Sequence, residues 1–193
     1  MGKSITKEEI SGFDIEEFQG KIYVIDNPLD SEKAVRYLSR FKFLGFDTET
    51  RPSFKRGDLH IVSLIQISTF DTCFLFRLNG TGFPSALIKL LSDSQILKIG
   101  LSLKDDFLSM SRILKFSPQG FVDLQKLVQK YDIDDLSLQK IYAILFHKKI
   151  SKSQRLTNWE AEELSKAQKK YAALDAWACL KIYEYLCLTK ESI

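Results

Sequence analysis

Two acidic residues, Asp47 and Glu49, follow a short apolar segment and stand two positions apart in the chain. Side chains alternate between the two faces of a strand, so both carboxylates are expected to point the same way from a strand end. Burying two like charges is costly unless a cation compensates them, and carboxylate oxygens suit Mg²⁺ or Mn²⁺. Acidic pairs with this spacing arise roughly three times by chance in such a composition, so the pair alone does not establish a metal site.

A second pair of acids precedes an apolar pattern of helical spacing. Asp105 and Asp106 are followed by Phe107, Met110 and Leu114. Acids in the first turn of a helix favour its dipole and cap its free N–H groups. Capping is therefore the structural alternative to a functional role for these two acids.

A further acid, Asp175, follows Tyr171 by four positions in the last helical pattern of the chain. The expected buried face of that helix consists of Leu164, Ala167, Tyr171, Leu174, Ala178, Ile182 and Tyr185. Aspartate is a poor helix-interior residue, and one beside a buried face needs a partner, either a lysine or a cation. On spacing alone, Tyr171 is a core tyrosine of this helix.

The elements that must position these acids are predicted from apolar periodicity. Strands are expected at 21–26, 43–49, 61–69, 72–78, 96–100 and 121–123, with a hairpin between the third and fourth. Helices are expected from an N-cap at Asp30 or Ser31 to about Arg40, over 84–91, from about Asp106, and over 160–188. Strands followed by alternating helices and strands indicate an α/β fold, a mixed sheet flanked by helices on both faces.

The composition limits the classes of function. The 193 residues carry a net charge of +3 and are 45% hydrophobic and 27% charged, which suits one globular domain. We expect residues 1–20 to form an N-terminal arm and residues 21–193 the domain. The three cysteines lack CxxC spacing and no apolar run approaches the roughly 20 residues of a membrane span. We therefore expect a cytoplasmic protein. No Gly-x-x-x-x-Gly-Lys-Ser/Thr loop occurs, so ATP use is not predicted.

Basic residues are concentrated between Leu136 and Trp159, a window without acids. The cations of this window are Lys140, Lys148, Lys149, Lys152 and Arg155. A one-sided basic patch is typical of phosphate binding, with a solvated charged surface as the alternative.

In order and spacing, these segments resemble the 3′–5′ exonuclease domains of the DEDD superfamily, of the ribonuclease D and Werner-syndrome-exonuclease type. Residues 46–49 (Phe-Asp-Thr-Glu) match the first family motif, residues 99–106 (Ile-Gly-Leu-Ser-Leu-Lys-Asp-Asp) the second, and residues 171–175 the Tyr-x-x-x-Asp motif. Lys170 stands where a sister subclass has histidine, which indicates the tyrosine subclass (DEDDy). In the second motif Asp105 takes a position usually held by Asn, and Asp106 aligns with the functional acid.

The resemblance implies a ribonuclease-H-like fold and a metal-dependent hydrolase. The substrate would be the single-stranded 3′ end of DNA or RNA, and nucleoside 5′-monophosphates would be released. Two divalent cations, Mg²⁺ or Mn²⁺, would be held by Asp47, Glu49, Asp106 and Asp175. Tyr171 would orient the attacking water.

Contacts to nucleic acid are expected from Thr48, Phe107, Lys152 and Arg155. A core position is the alternative for Phe107, and generic surface charge for the two cations. Two other functions remain open: a non-catalytic nucleic-acid-binding module on the same fold, and an interaction domain whose acids are structural.

Overall fold

The computed structural model describes residues 2–52 and 61–188; residues 53–60 and 189–193 of the expected domain lie outside the described part. The strands found there are β1 (Asp14–Ile15), β2 (Lys21–Ile25), β3 (Phe43–Thr50), β4 (Val62–Ser68), β5 (Thr72–Arg77), β6 (Leu97–Gly100), β7 (Phe121–Asp123) and β8 (Lys148–Lys149). The helices are α1 (Lys7–Ser11), α2 (Pro28–Leu38), α3 (Leu78–Thr81), α4 (Ser85–Leu91), α5 (Leu103–Ser111), α6 (Leu124–Val128), α7 (Leu138–Phe146) and α8 (Lys166–Tyr183). A 3-10 turn covers Gln129–Tyr131, and a π-helical turn covers Glu184–Leu188.

Six of these strands form one mixed sheet, in the order β2-β5-β4-β3-β6-β7. β4 is antiparallel to β3 and β5, whereas β2–β5, β3–β6 and β6–β7 are parallel pairs. The predicted hairpin joins β4 to β5, and its Thr69 N–H donates to the Thr72 carbonyl oxygen at 2.8 Å. The predicted mixed sheet is confirmed, and the strand that carries Asp47 and Glu49 lies inside it.

Helices cover both faces of this sheet because its inner strands send apolar side chains to both sides. On one face Phe46 and Ile65 belong to a core shared with α2, α4 and α5. On the other face Leu64 and Leu75 belong to a core shared with α7 and α8. Strand alternation therefore directs Asp47 and Glu49 toward the α8 face.

Helix α8 crosses β3 at main-chain contact distance. A Cβ at Gly45 would overlap the carbonyl oxygen of Ala176, so this approach requires glycine. Asp175 immediately precedes Ala176, and Asp47 stands two positions after Gly45. The backbone contact therefore brings the carboxylates of the two elements to the same place.

Helix α8 begins at Lys166, so the predicted start at residue 160 was wrong. Ser165 and Gln168 form a capping box that fixes this start. The predicted buried face was also wrong at two positions, since Ala167 and Tyr185 are exposed. The sheet covers one side of α8 and α7 covers another. The buried surface of the helix is therefore wider than the single predicted face.

Two other predicted helix starts were also displaced. The N-cap of α2 is Asn27, not Asp30 or Ser31; its side chain accepts from the Asp30 N–H at 2.9 Å. Proline in the first turn agrees with this earlier start, because Pro28 needs no hydrogen-bond partner for its nitrogen there. α5 starts at Leu103 rather than near Asp106.

Residues 2–20, the described part of the expected arm, pack against the rest of the chain. β1 pairs in parallel with β8, and Ile10 and Phe18 are buried. Buried Glu16 accepts hydrogen bonds from the Tyr142 hydroxyl at 2.7 Å and from Lys148 at 3.1 Å. Within the described ranges, no helix combines the length and the apolar character that crossing a bilayer requires.

Candidate active site

Three carboxylates meet at the end of β3. Asp47 and Glu49 extend from the α8 face of the strand, and Asp175 faces them from α8. Each of the three offers an oxygen atom, and these atoms lie within 4.8 Å of one another. The structure thus brings together acids from β3 and from the middle of α8, which are distant in the sequence.

Asp106 reaches β3 from the opposite face of the sheet. The Thr48 hydroxyl donates to its Oδ1, and the alternation of β3 turns Thr48 toward α5. The neighbouring Asp105 is exposed, whereas Asp106 is partly buried. Asp106 is therefore the acid of this pair that faces β3, although the three-carboxylate group does not include it.

Burial and mutual repulsion raise the pKa values of these acids. Burial raises the pKa of Glu49 to about 9, helped by the charges of Asp175 and Asp106. Burial likewise raises the pKa of Asp175 to about 7 and that of Asp106 to about 6. The pKa of Asp47 is raised by burial and then by the charges of the other three acids. Such a group holds protons or a compensating cation near neutral pH.

The phenol of Tyr171 lies beside the carboxylate of Asp175, one helical turn later, in the same cleft. Burial and the adjacent carboxylates raise the pKa of this phenol, which keeps it protonated. Trp159 packs beside Tyr171, with ring centroids 6.0 Å apart, and is itself fully buried. Tyr171 therefore packs against a buried ring and presents a protonated phenol next to the acids.

The donor set fits a hard divalent cation. It consists of carboxylate oxygens, as Mg²⁺ and Mn²⁺ prefer. One of them, Oδ1 of Asp175, is buried without a hydrogen-bond partner in the described part of the chain. A buried oxygen without a donor is explained by a ligand such as an ion or water.

Two clefts open on either side of the carboxylates. A cleft of about 490 Å³ is lined by Lys152, Arg155, Tyr171 and Asp175, among others. The charges of Arg155 and Lys152 partly offset the burial that raises the pKa values of Glu49 and Asp175, respectively. The two exposed cations predicted from the basic window therefore lie near the acids.

The second cleft, of about 320 Å³, is lined by Thr48, Glu49, Asp106 and Arg112, with Asp105, Leu108 and others. Arg112 was not predicted as a site residue. In the sequence it is one of many cations, and it stands at the end of a helical pattern. The backbone N–H of Thr48 also lies near the carboxyl of Asp47 and partly offsets the rise in the pKa of that carboxyl. Thr48 thus lies next to two of the acids and bonds one of them, Asp106, through its side chain.

Phe107 packs edge to face against Phe121, with ring centroids 4.8 Å apart, and belongs to the core on the α5 face. It is not among the residues that line either of these two clefts. This position favours the core alternative left open for Phe107 over base stacking.

Asp123 was missed as a positioning residue. Its Oδ1 accepts from the N–H groups of Ser102 at 3.1 Å and Gln125 at 2.9 Å, and its Oδ2 from Leu103 at 3.2 Å. This carboxylate caps the start of α5, the helix that carries Asp106. An aspartate between a predicted strand and the next helix is an N-cap signal for that helix, here α6. Its bonds to the start of α5 involve a helix that is distant in sequence, so the sequence did not predict them.

The mixed sheet and its helices on both faces define an α/β domain of the ribonuclease-H-like fold, with acids at an inner strand end. Residues 22–189 match the family model described as 3′–5′ exonuclease. The chain belongs to this 3′–5′ exonuclease family, in the DEDD superfamily and of the ribonuclease D and Werner-exonuclease type. The resemblance predicted from the three motifs is thereby confirmed.

The relatives include proteins longer than this chain. A 3′–5′ exonuclease of Arabidopsis thaliana is 34% identical over 154 residues, which are 77% of this chain and 54% of that protein. The bifunctional 3′–5′ exonuclease/ATP-dependent helicase WRN of Mus musculus is 32% identical over 162 residues, 81% of this chain and 12% of that protein. The crystal structure of Escherichia coli RNase D shares the fold, with a TM-score of 0.78 at 22% identity over 89% of this chain and 46% of that one.

Proposed function

We propose that this chain hydrolyses the terminal phosphodiester bond at the 3′ end of single-stranded nucleic acid and releases nucleoside 5′-monophosphates. The observation that carries this proposal is the meeting of Asp47, Glu49 and Asp175 beside the phenol of Tyr171. Membership of the 3′–5′ exonuclease family supports the reaction class. The raised pKa values explain why such a cluster would be occupied by cations at neutral pH.

Asp47, Glu49 and Asp175 would hold two divalent cations, Mg²⁺ or Mn²⁺, with Asp106 contributing from the other face of the sheet. When bound, the cations would lower the pKa of a water nucleophile and stabilise charge on the phosphate and the leaving oxygen. Oδ1 of Asp175 is available as a ligand, because no protein donor occupies it in the described residues.

Tyr171 would orient the attacking water. Its phenol stays protonated, so it serves as a hydrogen-bond donor rather than as a base. Its position next to Asp175 in the cleft places the hydroxyl beside the proposed cation ligands. This role needs position rather than proton transfer, which is consistent with the tyrosine subclass.

Lys152 and Arg155 would bind the phosphates of the substrate strand. Both are exposed and line the cleft that also contains Tyr171 and Asp175. Thr48 would border the terminal nucleotide from the second cleft. The proposal covers DNA and RNA substrates and includes no use of ATP.

The test is incubation of the purified protein with 5′-labelled single-stranded DNA and the matched RNA, in Mg²⁺, Mn²⁺ or EDTA. We expect a metal-dependent ladder of 3′-shortened products that is absent in Asp47→Asn. The faster substrate would identify the preferred sugar. Metal-independent retention of either strand in a gel shift, with no ladder, would instead support a non-catalytic binding module.

A further inference from the structure

A fully buried amide lies in β4 without hydrogen bonds. Gln66 has 0% exposure, and neither its Nε2 nor its Oε1 has a partner in the described residues. A glutamine amide carries two donors and an acceptor, and leaving all of them unsatisfied opposes folding. Such a group in a native core calls for an explanation, of which a functional role is one.

The sheet register makes Gln66 the direct cross-strand neighbour of Asp47. Directly opposed residues of an antiparallel pair lie on the same face, with Cβ atoms about 4.5–5.5 Å apart. Ile65 and Ile67, on either side of Gln66, belong to the core of the opposite face. The side chain of Gln66 therefore projects toward α8, as the carboxylate of Asp47 does.

The other neighbours of Gln66 on this face offer it little. Leu75 is its cross-strand partner on β5, and Leu64 is two positions away on β4; both are apolar and fully buried. Ser68, two positions away in the other direction, already donates its hydroxyl to the Thr69 carbonyl oxygen at 2.7 Å. Among these sheet neighbours of Gln66, Asp47 is the one whose side chain is free to accept from the amide.

We propose that Gln66 is a positioning residue for Asp47, whose amide N–H donates to that carboxylate when a divalent cation engages it. This proposal rests on the metal-dependent function proposed above. Carboxylates that bind metals are generally held by such outer hydrogen bonds, and loss of one typically lowers metal affinity by about 10- to 100-fold. Retention of an otherwise unsatisfied amide in the core follows from this role.

The variant Gln66→Met tests the proposal, because methionine has similar length and no polar group. Ser31→Ala is the matched control: the Ser31 hydroxyl is also fully buried without a partner, but it lies in α2 on the other face of the sheet. Mn²⁺ affinity is measured by calorimetry, and thermal unfolding is measured in EDTA. A purely structural orphan predicts that both variants keep the unfolding temperature or raise it, with Mn²⁺ affinity unchanged.

For Gln66→Met we expect the unfolding temperature in EDTA to stay equal or rise. We expect its Mn²⁺ affinity to fall at least about tenfold. Ser31→Ala should bind Mn²⁺ like the unmodified protein. Unchanged Mn²⁺ affinity in folded Gln66→Met would overturn the proposed role of Gln66 and leave the proposed function intact. Failure of the unmodified protein to bind Mn²⁺ would overturn the proposed function as well.

A variant-free measurement covers the case in which Gln66→Met does not fold. The side-chain amide of Gln66 is followed by NMR in protein labelled with ¹⁵N-glutamine during titration with Mg²⁺. We expect its resonances to shift and its exchange with solvent to slow, whereas those of Gln168, which already bonds Thr157 and Asn158, stay in place. A Gln66 amide that does not respond to saturating Mg²⁺ would refute the proposal.

Discussion

The phenol of Tyr171 and the carboxylate of Asp175 lie one turn apart on α8 and line the same cleft. This arrangement places a protonated donor beside the group of acids that are proposed to bind metal. It makes the contribution of the phenol separable from that of the metal ligands, because removing the hydroxyl leaves the carboxylates in place.

Tyr171→Phe should lower turnover by about 10²- to 10³-fold, the usual cost of one preorganised donor in a reaction site. Calorimetry should show Mn²⁺ affinity within a fewfold of the unmodified protein, because the phenol is not a ligand. Tyr23→Phe is the control, since Tyr23 is exposed on the edge strand β2. Equal turnover in Tyr171→Phe and the unmodified protein would exclude the phenol from the reaction.

Asp47→Asn should abolish hydrolysis, with a loss of more than about 100-fold, because a direct ligand matters more than its outer partners. The same variant should unfold at a higher temperature in EDTA, since one charge is removed from a repelling group. Rates on labelled oligonucleotides and thermal melts measure the two effects. Substantial turnover in the double variant with Asp175→Asn would contradict the mechanism.

Asp106→Asn and Asp105→Asn form a matched pair of adjacent substitutions. Asp106 accepts from Thr48 and has a pKa raised to about 6, whereas Asp105 is exposed. Hydrolysis should fall at least tenfold in Asp106→Asn and stay within about twofold in Asp105→Asn. The reverse ranking in the same rate assay would assign the function to Asp105.

The stability of the metal-free protein should decrease as the pH rises from 5 to 9. The folded-state pKa values of Asp106, Asp175 and Glu49 are raised to about 6, 7 and 9, above the values of about 4 in an unfolded chain. The folded state then binds more protons, so this contribution is complete below about pH 4 and is lost through each folded pKa. Urea unfolding in EDTA at pH 5, 7 and 9 measures the free energy of unfolding. If that free energy rose with pH, and did so equally in Asp47→Asn and the unmodified protein, the pH dependence could not be assigned to these acids.

Lys152→Ala combined with Arg155→Ala should weaken substrate binding and flatten its dependence on salt. Each lost phosphate contact reduces the slope of log affinity against log salt by roughly 0.7 for a single strand. Lys33→Ala is the control, because Lys33 lies on α2 and pairs with Asp30 there. An unchanged slope in the double variant would move the substrate path to another surface.

The sequence predicted those parts of the site that depend on local periodicity and on motif spacing. Alternation along a strand was enough to put Asp47 and Glu49 on one face, and the three motifs identified the family. The predicted start of α8 at residue 160 was wrong although the true signal is local, since Ser165 and Gln168 form a capping box.

Other features depend on contacts that periodicity does not report. The bonds of Asp123 to the start of α5 and the opposition of Gln66 and Asp47 require the sheet register. Likewise, Phe107 fits a stacking residue in sequence, and its ring lies against Phe121 because β7 is placed beside α5. These relationships are set by tertiary structure.

The contact of Gly45 with Ala176 has a consequence for divergence within the family. Because main-chain atoms set the spacing between β3 and α8, the surrounding side chains can change without moving the acids relative to one another. Drift in core composition is then compatible with an unaltered arrangement of ligands, as long as position 45 remains glycine. A single added methyl group there would separate the two elements, so the evolutionary constraint falls on the residue that contributes no side chain at all.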